Sequence, residues 1–282
     1  MTDFPLGPLE IEQLAHAALL EDRAFEDLTT NATVAPDRQA RARLVARADG
    51  VVAGVPLAIA IFRRMDDKVS IRVDREDGTR VVRGDVVLYL SGCARSLLSA
   101  ERVALNCLQR LSGIASLTRR FVDVVAGTNA AILDTRKTIP GWRALEKYAV
   151  RCGGGVNHRM DLASAVLIKD NHLVALGGDV GLAVRRCREH APPRTRIQVE
   201  CDQLAQVAAA IAVGADSVLL DNMSVEIIEQ CVRYAKGKAV TEVSGGVTLS
   251  TVRRIAETGV DRISIGALTH SAVALDLALD FD

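Results

Sequence analysis

Arg196-Ile-Gln-Val-Glu-Cys-Asp-Gln-Leu-Ala-Gln-Val-Ala-Ala-Ala-Ile-Ala-Val-Gly-Ala-Asp-Ser-Val-Leu-Leu-Asp-Asn222 is the stretch that decides the fold. It opens on a short apolar run, residues 196–199, that stops at Glu200. A helical pattern follows over Leu204–Val213. Val213-Gly-Ala-Asp216 places a C-cap glycine after that helix. A second apolar run, Ser217–Leu220, stops at Asp221-Asn222. A strand, a helix and a second strand joined this tightly predict parallel strands with the helix packed outside the sheet.

The same unit recurs on both sides. Ala130–Leu133 precedes a helix around Ala144–Val150, and Ala165–Ile168 precedes Lys169-Asp-Asn-His172. Ala239–Val243 runs into Ser244-Gly-Gly246, and Arg262–Ile265 runs into Gly266. Helices are predicted over Val225–Ala235 and Leu249–Glu257, and Thr258-Gly-Val-Asp261 repeats the C-cap pattern. Six strands are legible this way, which leaves an incomplete or distorted β/α barrel or an open doubly wound sheet.

The first half of the chain has another texture. Residues 9–20 are spaced as a helix, and Glu21–Thr30 reads as a polar loop. Arg41–Arg47, Val69–Val73 and Gly84–Leu90 read as strands of a small antiparallel sheet, with a short helix over Pro56–Met65 and a hairpin-type turn at Asp77-Gly78. Ser96 to about Val125 reads as one long helix with a weak point at Ser112-Gly113. Arg102 lies one turn from Leu98 and Leu105, at the edge of the apolar face.

Composition narrows the function classes. The 282 residues carry 35 Lys plus Arg against 35 Asp plus Glu. Zero net charge argues against a generic binder of nucleic acid or acidic membranes. No charged segment leads into an apolar one at the start, and no apolar run reaches spanning length, so a cytoplasmic protein is expected. The six cysteines form no CxxC pair and are expected to be reduced.

Each strand of the second half ends in a polar residue or a glycine, at the edge where α/β folds place their sites. Arg136, Lys137, Lys169, Glu200, Asp221, Ser244, Gly245, Gly246 and Gly266 collect there, and the loop Gly153-Gly-Gly-Val-Asn-His-Arg159 adds His158 and Arg159. Two like charges about 4 Å apart at an effective dielectric near 20 repel by roughly 4 kcal/mol. Arg136, Lys137, Arg159 and Lys169 can therefore share a rim only if anions complete it. Glu200 and Asp221 supply two, and the remainder calls for a carboxylate- or phosphate-bearing ligand. The glycines after two successive strands suit a phosphate cradle. The carboxylate pair suits Mg²⁺ held with substrate oxygens, or ribose hydroxyls.

These residues resemble a known family. Asp134-Thr-Arg-Lys-Thr-Ile-Pro-Gly141, Ala144-Leu-Glu-Lys-Tyr-Ala-Val150, Gly153–Arg159, Leu167-Ile-Lys-Asp-Asn-His172, Glu242-Val-Ser-Gly-Gly246 and Ile263-Ser-Ile-Gly-Ala-Leu-Thr-His270 look like quinolinate phosphoribosyltransferase, in order and over nearly the whole chain. Glu101-Arg-Val-Ala-Leu-Asn106 extends the likeness into the long helix. The resemblance implies a parallel β/α barrel of six or seven strands, residues 113–269. It also implies an N-terminal α+β domain, residues 1–112, joined by a C-terminal helix over about 270–282.

The implied reaction joins quinolinate to phosphoribosyl pyrophosphate, with Mg²⁺ as cofactor, and gives nicotinate mononucleotide, pyrophosphate and CO₂. By the motif match, Arg102, Arg136, His158, Arg159 and Lys169 would hold the quinolinate carboxylates, and Lys137 would face the phosphoribosyl donor. Glu200 and Asp221 would face the ribose hydroxyls and the metal, directly or through substrate or water. Ser244, Gly245, Gly246, Gly266 and His270 would surround the 5′-phosphate. Lys137, Lys169, Glu200 and Asp221 are the expected catalytic groups. A homodimer or larger oligomer is implied, with Arg102 acting in trans. The chain departs from the family at Gln198 and Cys201, where Glu and an aliphatic residue are more usual. Three rivals remain at this level: a non-transferase paralogue associated with molybdate transport, a Schiff-base aldolase using Lys169, and a phosphate-ligand binding protein without turnover. Asp134 and Lys169 weigh against the first.

Overall fold

A computed structural model describes residues 3–282, arranged as two compact units. The first comprises residues up to 119, residues 138–154 and residues 268–282; the second comprises 120–137 and 155–267.

In the first unit the strands are β1 (Gln39–Ala46), β2 (Gly50–Val51), β3 (Ser70–Val73), β4 (Arg80–Val81) and β5 (Val86–Cys93). β1 alternates as a half-buried strand should: Ala42, Leu44 and Ala46 point into the core while Arg41 and Arg43 face out. It pairs antiparallel with β5, which pairs with β3, while β2 and β4 form a separate ribbon. The Asp77-Gly78 turn thus leads into β4, not directly from β3 to β5. The Asp77 carboxylate accepts from the N–H groups of Gly54 and Val55 (both 2.9 Å), at the start of the helix Val55–Met65.

Three expectations are corrected. Residues 270–282 do not form a helix: Leu277–Phe281 is a strand that pairs antiparallel with β1. Leu277 and Leu279 are buried on one face, and Asp280 meets Arg47 on the other, so the segment has period two. Glu21–Thr30 is not a plain loop, because Asp27 caps a short helix, Leu28–Thr33, by accepting from Thr30 N–H at 2.9 Å. The helix Ala94–Val124 runs unbroken through Ser112-Gly113. Gly113 is required there by packing, since a Cβ would lie 2.1 Å from the carbonyl oxygen of Val273. Ser112 Oγ accepts from Ala53 N–H at 3.0 Å.

In the second unit the strands are β6 (Ala131–Leu133), β7 (Val166–Ile168), β8 (Ile197–Cys201), β9 (Ser217–Asp221), β10 (Val240–Ser244) and β11 (Arg262–Ser264). They form one parallel sheet in the order β6-β11-β10-β9-β8-β7. Each strand from β7 to β11 pairs with its sequence neighbour, and β11 pairs back onto β6. Only the seam between β6 and β7 is open, so the sheet is a six-stranded incomplete barrel. Val156 adds a single bridge to the open edge of β6, donating to Ile132 O at 2.8 Å.

The two repeated turn motifs do identical work. Gly214 and Gly259 cap their helices with φ of 80° and 85°. The aspartates that follow then accept from the neighbouring strand, Asp216 from Ile197 N–H at 2.7 Å and Asp261 from Thr241 N–H at 2.8 Å.

Candidate active site

The strands of the second unit are parallel, so their C-terminal ends share one rim. Lys169 follows β7 directly, Glu200 lies in β8, Asp221 and Ser244 end β9 and β10, Gly245 and Gly246 follow, and Gly266 comes two residues after β11. Asp221 and Ser244 stand opposite each other in the ladder. Arg136 and Lys137 lie just past β6, and the 155–159 loop is bridged to that strand. Eleven residues named from the sequence therefore come from one unit. Arg102 and His270 belong to the other, where both are exposed. Arg102 borders a cleft of about 510 Å³ with Arg23, Asp27 and Leu28. His270 Nδ1 is 2.6 Å from Ser271 Oγ.

Cations and carboxylates occupy different strand ends. Burial and the nearby Arg136 guanidinium both hold Arg159 below the ordinary arginine range, against Asp161. Arginine remains cationic under such pressure, so the two guanidiniums repel each other at this rim. Arg159 Nη1 donates to Ala165 O at 2.8 Å, which holds the fork in place. Lys169 Nζ lies 3.9 Å from Glu200 Oε2, at the limit of an ion pair. Burial raises the Glu200 carboxyl, with Lys169 opposing and the Asp221 and Asp170 charges adding to the rise. Glu200 and Asp221 thus repel each other on adjacent strands, and a cation between them would relieve both.

Backbone shape decides the glycines. Gly245 has φ of 92°, and a Cβ there would lie 2.2 Å from Asn222 Oδ1. Asn222, itself at φ of 54°, donates from N–H to Ser244 O at 3.1 Å and from Nδ2 to Asp221 Oδ2 at 2.7 Å. The Gly-Gly turn and Asp221 are therefore held by one asparagine. His172 is a local cap: its Nδ1 accepts from Lys169 N–H at 2.9 Å.

Beneath the rim, around His158, lies a polar layer whose two carboxylates, Asp134 and Glu242, have no site role in the sequence reading. Asp134 is fully buried and accepts from Asn157 Nδ2 at 2.6 Å and His158 N–H at 2.9 Å. Glu242, 1% exposed in the middle of β10, accepts from Gln198 Nε2 at 3.0 Å and faces His158 Nε2 at 3.3 Å. Burial alone would push the Glu242 carboxyl up, but His158, Gln198 and Ser264 outweigh it and hold it below the usual range. The signal in the sequence was a lone carboxylate between Thr241 and Val243 inside a buried strand.

Among the described residues no three His, Cys, Asp or Glu side chains gather as a metal cage, and all six cysteines are free thiols. No helix among them is long and apolar enough to cross a membrane. Glu200 and Asp221 still fit a hard cation that brings its remaining ligands with it, as Mg²⁺ does when bound to phosphates.

Comparison with known proteins agrees with this geometry. The model of the quinolinate phosphoribosyl transferase N-terminal domain matches residues 27–112, and that of the C-terminal domain matches residues 114–280. The chain is 44% identical over 269 residues to the nicotinate-nucleotide pyrophosphorylase [carboxylating] of Mycobacterium leprae, covering 93% of this chain and 94% of that one. It is 39% identical over 275 residues to the probable enzyme of that name from Bacillus subtilis, covering 98% and 94%. The structure of NadC from Streptococcus pyogenes superposes with a TM-score of 0.94 at 42% identity, over 100% of both chains. With its two-unit fold, its rim of cations and carboxylates and relatives at this level, the chain belongs to the quinolinate phosphoribosyl transferase family.

Proposed function

We propose that this protein makes nicotinate mononucleotide, pyrophosphate and CO₂ from quinolinate and phosphoribosyl pyrophosphate, a step of de novo NAD synthesis. The observation that carries this reading is the division of one strand-end rim into a guanidinium pair, Arg136 with Arg159, and a carboxylate pair, Glu200 with Asp221. A dicarboxylate fits the first and a ribosyl cation the second.

Arg136, Arg159 and Lys169 clamp the quinolinate carboxylates, with His158 beside them. Lys137, exposed at the end of the same turn, faces the diphosphate of the donor. The ring nitrogen displaces pyrophosphate at C1′, and the positive charge that develops on the ribose is stabilised by Glu200 and Asp221. The carboxylate next to the now cationic ring nitrogen leaves as CO₂, its electron pair stays on the ring carbon, and a proton then takes its place. Holding that carboxylate still is a positioning task for fixed cations. Ser244, Gly245, Gly246, Gly266 and His270 receive the 5′-phosphate through hydroxyl, backbone N–H and imidazole donors. Glu200 and Asp221 would hold Mg²⁺ together with substrate oxygens, directly or through water. The metal would neutralise the diphosphate leaving group.

We further read the site as shared between copies in a homodimer or larger oligomer, with Arg102 completing a neighbour's clamp. Its exposure on the edge of an otherwise apolar helix face supports that reading. Neutral net charge and free thiols suit a cytoplasmic setting. The test is a turnover assay. Quinolinate-dependent release of pyrophosphate and CO₂ in Mg²⁺ is expected, and binding of both substrates without product would overturn the assignment.

A further inference from the structure

The polar layer under the rim has a direction. Arg159 N–H donates to His158 Nδ1 at 2.7 Å, so that nitrogen is the acceptor and the ring proton of a neutral imidazole sits on Nε2. Nε2 in turn faces Glu242 Oε1 at 3.3 Å, a buried carboxylate oxygen for which that nitrogen is a charge partner too poorly aligned for a full hydrogen bond. Oε2 of the same carboxylate is occupied by Gln198. The His158 backbone is fixed independently, since its N–H donates to the buried Asp134. Each ring nitrogen of His158 therefore faces a partner inside the protein.

We infer that Glu242, steered by Gln198, is a positioning residue: it locks His158 in the Nε2–H tautomer, so that Nδ1 holds the Arg159 backbone and aims that guanidinium at the quinolinate. A carboxylate that fixes a histidine tautomer is a general way to orient the groups around a site. The Nδ1–H tautomer would set an N–H against the Arg159 N–H, and a flipped ring would present Cδ2–H there; either would push the 157–159 turn away from Asp134. The 5′-phosphate cradle closes the same strand, β10, but its turn is held from the neighbouring strand end by Asn222, whose N–H donates to Ser244 O, and not by Glu242. The inference rests on the proposed reaction only for the identity of the anion that Arg159 meets.

Two measurements test it. The first is the nitrogen-15 shifts of the His158 ring in the unmodified full-length protein near neutral pH. A protonated Nε2 and an acceptor Nδ1 are expected. A neutral Nδ1–H ring, or a doubly protonated one, would overturn the inference, and this readout needs no turnover. The second is steady-state kinetics of Glu242→Leu and Glu242→Gln. In Glu242→Leu the KM for quinolinate is expected to rise about tenfold or more, the scale of a misaimed binding group, with the KM for phosphoribosyl pyrophosphate little changed. In Glu242→Gln the side-chain carbonyl can still accept from Nε2 while its amide faces a flipped Gln198, so most of the loss should be rescued. Equal loss in both variants, or a loss shared equally by both substrates, would sink the idea. If the unmodified protein turns over neither substrate, the functional reading fails while the ring shifts still decide the tautomer.

Discussion

The buried charges of the first unit and the strand-end rim of the second are handled in opposite ways. In the first, Glu146 is fully buried and each of its oxygens is taken: Oε1 by Arg110 at 2.6 Å and Oε2 by Ile139 N–H at 3.2 Å. Arg110 also donates to the carbonyls of Thr269 and Ala272, so one guanidinium ties the segments around 139–146 and 269–272 to the long helix. Asp77 is equally closed, accepting from Gly54, Val55 and Tyr148. In the second unit the rim places Lys169 and Glu200 3.9 Å apart, sets guanidinium against guanidinium, and raises Glu200 beside Asp221. The first pattern holds a fold together. The second gathers like charges close together, and a ligand carrying carboxylates, phosphates and a metal would complete it.

Substitutions in the two regions should therefore read out differently. The largest effect is expected from Glu146→Ala, which strands Arg110: about 3–5 kcal/mol of stability is lost, the usual penalty for breaking a buried pair. Denaturant unfolding measures this, and a loss confined to turnover with unchanged stability would erase the contrast. Next come Arg136→Ala and Lys169→Ala, each expected to lower kcat/KM by about 10²–10³-fold while the melting temperature stays nearly constant. A large drop in melting temperature there would mean that the rim is structural after all.

Gly245→Ala should follow, because its Cβ meets Asn222 Oδ1 at 2.2 Å in a backbone conformation that L-residues avoid. Its cost should appear chiefly as a raised KM for phosphoribosyl pyrophosphate, and a quinolinate-specific effect would misplace the phosphate cradle.

The smallest effect concerns pH. Glu200 titrates above its ordinary value in the folded protein, so its contribution to stability is fully present below the unfolded pKa, about 4.3. That contribution is lost as pH rises through the folded pKa. Glu200→Gln should therefore stabilise the substrate-free protein at neutral pH by about 0.5–1 kcal/mol, the common scale of single stabilising changes, while lowering activity. Glu242 is the converse case. Its carboxyl is held low, so its stabilising contribution is present above the unfolded pKa and fades as pH falls through the folded one. An acid-unfolding series comparing Glu200→Gln with Glu242→Gln would show opposite trends, and parallel trends would contradict both assignments.

Periodicity and strand-end chemistry made the second unit legible. Six short apolar runs, each stopping at a polar residue or a glycine, place all six parallel strands and the residues at their ends, because a strand's hydrophobic run and its C-terminal polar residue are local in sequence. The first unit was less legible where partners are distant. The strand Leu277–Phe281 stands where the resemblance implies a helix; its period-two alternation is local, but its pairing partner, β1, lies more than two hundred residues earlier. Gly113 looked like a helix weak point because the chain that presses against it, around Val273, is equally remote.

The sequence alone determined the strand-helix repeat, the net neutrality and the cluster of cations, carboxylates and glycines at the strand ends, since each depends on neighbours within a few positions. Tertiary structure alone decided which buried polar groups meet: Glu146 with Arg110, Glu242 with Gln198 and His158, and Asp134 with Asn157. The physical reason is that a buried polar atom is stable only when another segment brings it a partner, and no local pattern names that segment.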